Sequence, residues 1–191
     1  MVRHRDAVLG AGGLQALIKG GLPVAGERIV IAGSGPLLLA SAATARDNGA
    51  RVLNILEQAP WSAVAGFAAQ LPRWPHKLLQ SFGLFHRGYR ASSHVLEALG
   101  DGRLEGVRLN IGGQLREIAC ERLACGFGLV PNLQLGQALG CRIDNGAIAV
   151  DAWQATSLAG VYAAGESTGF GGSEKALVEG AIAGHAAVGE S

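Results

Sequence analysis

The chain has 191 residues, 49% of them hydrophobic, and a net charge of +1 from 16 basic and 15 acidic side chains. Such a composition supports one or two globular domains. It excludes a polybasic surface for nucleic acid or membrane headgroups, because Arg and Lys are scattered rather than clustered. Glycine is the outlier at 30 residues, about double the usual share of roughly 7%. Without a G-X-Y period these glycines point to tight turns and close backbone-to-ligand approach, not to collagen. No run approaches the roughly 18 apolar residues of a membrane span. The N-terminal MVRHRD is followed by a segment broken at Gly10, Gly12, Gly13 and Gly20, so no signal peptide is expected and the location expected is cytoplasmic. Cys120, Cys125 and Cys141 are odd in number and lack CxxC spacing, which favours buried small hydrophobes over a disulfide, a zinc site or a dithiol. His4, His76, His86, His94 and His185 stand at no metal-ligand spacing, so no metal is expected. Trp61, Trp74 and Trp153 read as core or interface anchors.

In chain order, Leu14, Leu17 and Ile18 predict a short helix over Ala11–Lys19, stopped by Gly20, Gly21 and Pro23. Arg28–Ala32 reads as a strand apolar enough for the middle of a parallel sheet. Gly33–Gly35 turns the chain, Pro36 takes the first helical position, and the helix runs to about Asn48 with Gly49 ending it. Arg51–Leu56 is the next strand. Together these make a strand–loop–helix–strand unit of about 30 residues, as a mononucleotide-binding βαβ requires. Helices are expected over Ala63–Leu71 and Lys77–Phe82, around Pro72 and Pro75, and a third parallel strand over Leu84–His86. His94–Leu99 and Leu104–Asn110 flank Gly100-Asp101-Gly102-Arg103, a hairpin signal. Gly112-Gly113 turns into Gln114–Cys120, and a domain boundary is expected there. Leu123–Gly126, Ile148–Val150 and Val161–Ala164 are short strands, the first followed by the loop Phe127–Asn132. A small-residue helix from about Ser173, with Ser173 as its N-cap, closes the chain.

Two segments carry chemistry. In Gly33-Ser34-Gly35-Pro36-Leu37-Leu38, Gly33 permits the tight turn and Gly35 lets a pyrophosphate approach the backbone. The helix-start N–H groups near Leu37 and Leu38 would receive the anion. Leu38 replaces the third glycine of G-x-G-x-x-G and should push the helix off the strand or alter how closely a nucleotide sits. Glu57, at the end of the second strand, can accept both hydroxyls of an adenosine ribose and would repel a 2′-phosphate; the competing reading is a solvated acid at a strand end. Gln58 could help as a donor. Glu57→Ala is expected to weaken NAD binding and leave the fold intact. The second segment is Thr156–Gly172, TSLAGVYAAGESTGFGG: a strand ending in Gly165 and Glu166, then a glycine-rich loop into the last helix. A carboxylate there can hold a ribose or ribityl hydroxyl, and the helix start offers N–H groups and a positive dipole end.

These segments resemble the FAD/NAD(P)-dependent pyridine nucleotide oxidoreductase superfamily, in which a nucleotide domain is inserted into an FAD domain. The carrying residues are RIVIAGSGPLLLA…RVLNILEQA at Arg28–Ala59, CERLACGFGLVPNLQL at Cys120–Leu135 and the Thr156–Gly172 run. Within the superfamily the wording is similar to the large subunits of amine- and amino-acid-oxidising dehydrogenases, of the hydrogen cyanide synthase, opine oxidase and hydroxyproline dehydrogenase kind. The resemblance implies an α/β fold with a Rossmann-like nucleotide-binding βαβ domain followed by the C-terminal half of an FAD-binding domain. Residues 1–25 would connect, 26–112 would hold NAD or another adenine nucleotide, and 113–191 would form the FAD half. Gly33, Ser34, Gly35, Pro36, Leu37, Glu57 and Gln58 would touch the nucleotide; Gly165, Glu166 and Gly172 would touch the flavin side of FAD. The last helix start would stabilise negative charge near the flavin N1. No catalytic acid or base is assigned. Three departures stand out: no FAD-binding glycine loop precedes Asp6, no redox cysteine pair is present, and no cysteine-rich segment follows the last helix.

The expected function is therefore part of an FAD-dependent amine or amino-acid dehydrogenase that passes a hydride to flavin. FAD would be held if the other half-site is supplied, by a second dehydrogenase subunit or another copy of the chain. The alternatives are a nucleotide-binding module for NAD or ATP without its own catalysis, and a non-catalytic subunit of a larger dehydrogenase complex.

Overall fold

The computed structural model describes residues 7–69 and 86–189. The expected helix Lys77–Phe82, and with it His4, Leu71, Pro72, Trp74, Pro75 and His76, lies outside them. The chain divides into two compact units, the first ending at Gly128 and the second starting at Leu129.

The first unit is built on a parallel sheet of β1 (Val8–Gly10), β2 (Arg28–Gly33), β3 (Arg51–Glu57), β4 (Tyr89–Arg90) and β8 (Arg122–Gly126). Their order across the sheet is β1-β8-β2-β3-β4. β2 is buried from its second residue onward, as the continuous apolar run of a central parallel strand demands. Its alternate residues serve opposite faces. Ile29 and Ile31 join the core under α1 (Ala11–Lys19) and α2 (Leu37–Asp47), with Leu14, Ile18, Leu38, Ala42 and Ala45. Val30 and Ala32 face the other way, toward Val107, Leu109 and Cys120. That second layer is an antiparallel three-stranded sheet of β5 (Ser93–Leu99), β6 (Gly106–Ile111) and β7 (Gln114–Ala119). Small residues on α2 let α1 close against it: buried Ser41 donates to Ala11 O at 3.0 Å, and Gln15 Nε2 donates to Thr44 Oγ1 at 3.0 Å.

Most expected elements are present with shifted ends. α3 covers Trp61–Ala68, and Pro36 is the cap of α2 rather than its first helical residue. The strand beside β3 is Tyr89–Arg90, in register with Ile55 and Leu56, and His86 is in no strand. β1 has no counterpart in the expectations; three residues are too few for a periodicity signal. Gly112-Gly113 is the tight turn between β6 and β7.

Arg28 and Glu121 close the entry of β2 beside β8, with the Glu121 carboxylate accepting from Arg28 N at 2.7 Å and from Arg28 Nε at 3.0 Å. The Arg28 hydrogen bonds hold the Glu121 carboxyl at about 2, below its ordinary 4.5. A depressed acid stabilises the fold above its unfolded pKa, and that contribution fades as pH falls from about 4.5 to about 2. Both side chains are nearly half exposed, so water screens the pair and its contribution is small. Urea melts at stepped pH should show Glu121→Gln lowering the midpoint slightly at pH 7, with the difference from the unaltered chain closing as pH falls toward about 2.

The second unit contains α4 (Gln134–Leu139), a hairpin of β9 (Ile143–Asp144) and β10 (Ala147–Ile148), and α5 (Gly172–Ala187). Val161–Ala164 is not a strand. Tyr162 forms a single antiparallel bridge with Ala155, and no neighbouring ladder extends it among the described residues. The strand expected at Ile148–Val150 is the short β10 instead. Ser173 lies inside α5, whose cap is Gly171.

Candidate functional site

The glycine loop sits at the carboxyl ends of the central strands, where open parallel sheets take their ligands. Gly33 is in register with Gly126 of β8 and Glu57 of β3. A Cβ on Gly33 would lie 2.0 Å from Gly126 O, and Ser34 N donates to that same carbonyl at 2.8 Å. Gly35 is the opposite case. It has φ +93°, and a Cβ there would meet nothing within 4 Å, so its face is an open cradle against bare backbone. Leu37 opens α2, and its N–H has no intrahelical partner. Leu38 N is turned onto Gly35 O at 3.3 Å, leaving Leu37 as the anion-facing amide of the pair. These features fit a pyrophosphate.

Leu38 does not push the helix off the sheet. It is fully buried, and the space it needs comes from Gly126: a Cβ at 126 would lie 2.9 Å from Leu38 Cδ2 and 3.2 Å from Ala11 Cβ. The small residue expected on the helix has moved to the facing strand. Gly126→Ala should therefore cost about 1–3 kcal/mol by overpacking, read as a lowered denaturation midpoint.

Glu57 is 2% exposed, which removes the solvated-acid reading. Oε1 accepts from Ser34 Oγ and Ala59 N, both at 2.9 Å, and Oε2 from Gly35 N at 2.8 Å and Tyr89 OH at 3.4 Å. A carboxylate has about four acceptor positions, and all are taken. Glu57 thus ties the loop and Tyr89 to the end of β3. Burial, with the Glu57 charge second, pushes the Tyr89 phenol up to about 12, so it remains a donor at neutral pH. Glu57→Ala would strand two donors of the loop, Ser34 Oγ and Gly35 N, together with Ala59 N, so it acts on the fold as well as on a ligand. We expect a loss of about 2–3 kcal/mol in chemical denaturation, with Glu57→Gln milder. Gln58 is exposed, and its N–H donates to Gly33 O at 2.9 Å. Tyr89 was not legible as a site residue, since it stands 32 positions from Glu57 without a motif.

In the second unit Gly165 has φ +82° and begins a single 3-10 turn, Gly165–Thr168. The N–H groups expected to face the flavin are engaged by the chain's own carboxylates. Glu166 Oε1 accepts from Gly172 N at 3.0 Å, and Glu179 Oε2 accepts from Gly165 N and Thr168 Oγ1, both at 2.8 Å. Lys175 Nζ braces the loop from Thr168 Oγ1 at 3.1 Å, Gly169 O at 3.0 Å and Glu179 Oε1 at 2.6 Å. Burial opposes ionisation of Glu179, but its bonds from Lys175, Thr168 and Gly165 hold the carboxyl below its ordinary value. Lys175 and Glu179 were missed; their spacing of four on one helix face was the available signal. What remains for an electron-rich ring is the N–H of Ser173 and Glu174 in the first turn. Cys120 and Cys125 are protonated at neutral pH, since burial raises both thiols, Cys120 to about 11.

A parallel sheet with a glycine loop and a buried acid at its carboxyl edge is the arrangement of the dinucleotide-binding class of α/β folds. The chain belongs to the pyridine nucleotide-disulphide oxidoreductase family, whose family model matches residues 8–185, a family that binds FAD and NAD(P). It is 32% identical over 193 residues to the hydrogen cyanide synthase subunit HcnB of Pseudomonas aeruginosa, covering 90% of this chain and 41% of that protein. It is 30% identical over 189 residues to an opine oxidase subunit of Rhizobium meliloti, with the same coverage. The chain therefore spans about two-fifths of these relatives' length. Among solved structures, the fold matches thioredoxin reductase of T. acidophilum with a TM-score of 0.65 at 22% identity, over 98% of this chain and 58% of that one. The Lactococcus lactis thioredoxin reductase gives 0.68 at 17%, over 97% and 58%. Among the described residues no helix is long and apolar enough to cross a membrane.

Proposed function

We propose that the chain is the nucleotide-binding and flavin-side part of an FAD-dependent oxidoreductase of the amine or amino-acid dehydrogenase type. In this reading the first unit holds an adenine nucleotide at Gly33–Leu38, and the second presents Gly165, Glu166 and the start of α5 to FAD. Bound FAD would supply the hydride acceptor for a carbon bearing nitrogen. The observation that carries the reading is the open cradle at Gly35, beside the free Leu37 amide and backed by Glu57. The kinship with components of hydrogen cyanide synthase and opine oxidase supports the substrate class and a dehydrogenase partner chain. No basic side chain follows Glu57 in Gln58-Ala59-Pro60, which supports NAD or ATP over a 2′-phosphorylated nucleotide.

A second reading has its own support: the partners that shape the glycine loop, Gly126 and Glu57, lie within the first unit, whereas Gly165 and Gly172 N–H are already paired in the second. The chain would then be a nucleotide module without its own catalysis. The visible spectrum of the natively purified full chain separates the two. A stoichiometric flavin band supports the dehydrogenase. A colourless protein that binds ADP in calorimetry supports the module, and failure to bind either refutes both.

A further inference from the structure

The first unit carries an aromatic pair that the nucleotide reading leaves unused. Trp61 opens α3, directly after the β3 end that bears Glu57, and is 59% exposed. It was expected as a core or interface anchor; it is not in the core, and α3 contains no buried residue. Its ring centroid lies 5.8 Å from that of Tyr89, with the planes at 57°, a tilted contact of the favourable kind. Tyr89 in turn donates to Glu57 Oε2, the same oxygen that accepts Gly35 N. One carboxylate oxygen thus connects the loop and the aromatic pair. An indole mostly in water, braced from one side at the carboxyl edge of a parallel sheet, is an arrangement with surface left for a second flat ring.

We propose that Trp61, braced by Tyr89, is the stacking shelf for the base of the nucleotide held at Gly33–Leu38. The inference rests on the nucleotide reading and adds to it the residue that grips the base. Stacking is tolerant of base identity because every base has a π-face, so the shelf contributes affinity and the loop contributes placement. Glu57 is a positioning residue here: it fixes Tyr89 and Gly35 in one register.

The test uses the full chain with ADP as probe and ribose 5-phosphate as the probe without a base. Trp61→Ala and Trp61→Leu should each weaken ADP about tenfold, the low end of what base stacking contributes, while Trp61→Phe retains most of the affinity. The melting temperature should move little, given the exposure of the side chain. In a Trp74→Phe, Trp153→Phe background, ADP should quench the remaining indole fluorescence, and ribose 5-phosphate should not. Unchanged ADP affinity in Trp61→Ala, or ADP binding without quenching, would overturn the shelf and leave the nucleotide site standing. If the unaltered chain binds no ADP at all, both the shelf and the nucleotide reading fail. If Trp61→Ala melts early, the fluorescence result in the folded background decides.

Discussion

Alanine at position 33 should cost the first unit at least about 4 kcal/mol, enough to leave it unfolded or nearly so. The added Cβ would sit 2.0 Å from Gly126 O and 2.8 Å from Gly126 N. Neither is a side chain that can swing away. Both belong to β8, which is hydrogen-bonded to β1 on one side and β2 on the other. Relief would require breaking the β2–β8 ladder at its end and, with it, the Ser34–Gly126 bond. Urea denaturation followed by far-UV circular dichroism checks this. A midpoint within error of the unaltered chain would mean that β2 and β8 do not pair in solution as described.

The second large effect is on ligand. Gly35→Asp should reduce ADP binding at least about a hundredfold, which is about 2.7 kcal/mol. The new carboxylate would stand in the cradle that suits a pyrophosphate, and it would lie beside the buried Glu57 carboxylate. A backbone at φ +93° also strains any side chain, by roughly 1–3 kcal/mol. Gly35→Ala shares the strain without the charge and separates the two causes. Calorimetric titration of both variants should place Gly35→Ala between the unaltered chain and Gly35→Asp. Equal affinity in Gly35→Asp would remove the loop from the nucleotide site.

Local signals made much of the first unit legible. The period of α1, the unbroken apolar run of β2 and the Gly-Pro loop each act over a few residues, and each was read close to its place. What was illegible depends on partners far apart in the chain. Ser34, Tyr89 and the Ala59 amide meet on Glu57 only after β3, β4 and the loop have assembled, so its burial had no sequence mark. The expectation that Leu38 pushes the helix off the strand failed for the same reason: the compensating glycine lies on β8. The second unit was read less well. Val161–Ala164 has strand composition, but a strand exists only where a ladder forms, and among the described residues it has the Ala155–Tyr162 bridge alone. One local signal was overlooked: Asn145 and Gly146, both at positive φ, make the two-residue β9–β10 turn.

The position of β8 bears on how small a working piece of this protein can be. The strand–loop–helix–strand segment from Arg28 to Glu57 carries the recognisable motif, yet one wall of its loop is contributed by Gly126. A fragment ending before Arg122 would leave β2 with an unpaired edge, the Ser34 amide without its acceptor and Leu38 without its floor. The minimal piece that holds the loop in this shape therefore extends at least through Gly126, and during synthesis the loop takes its final shape only after that residue has emerged.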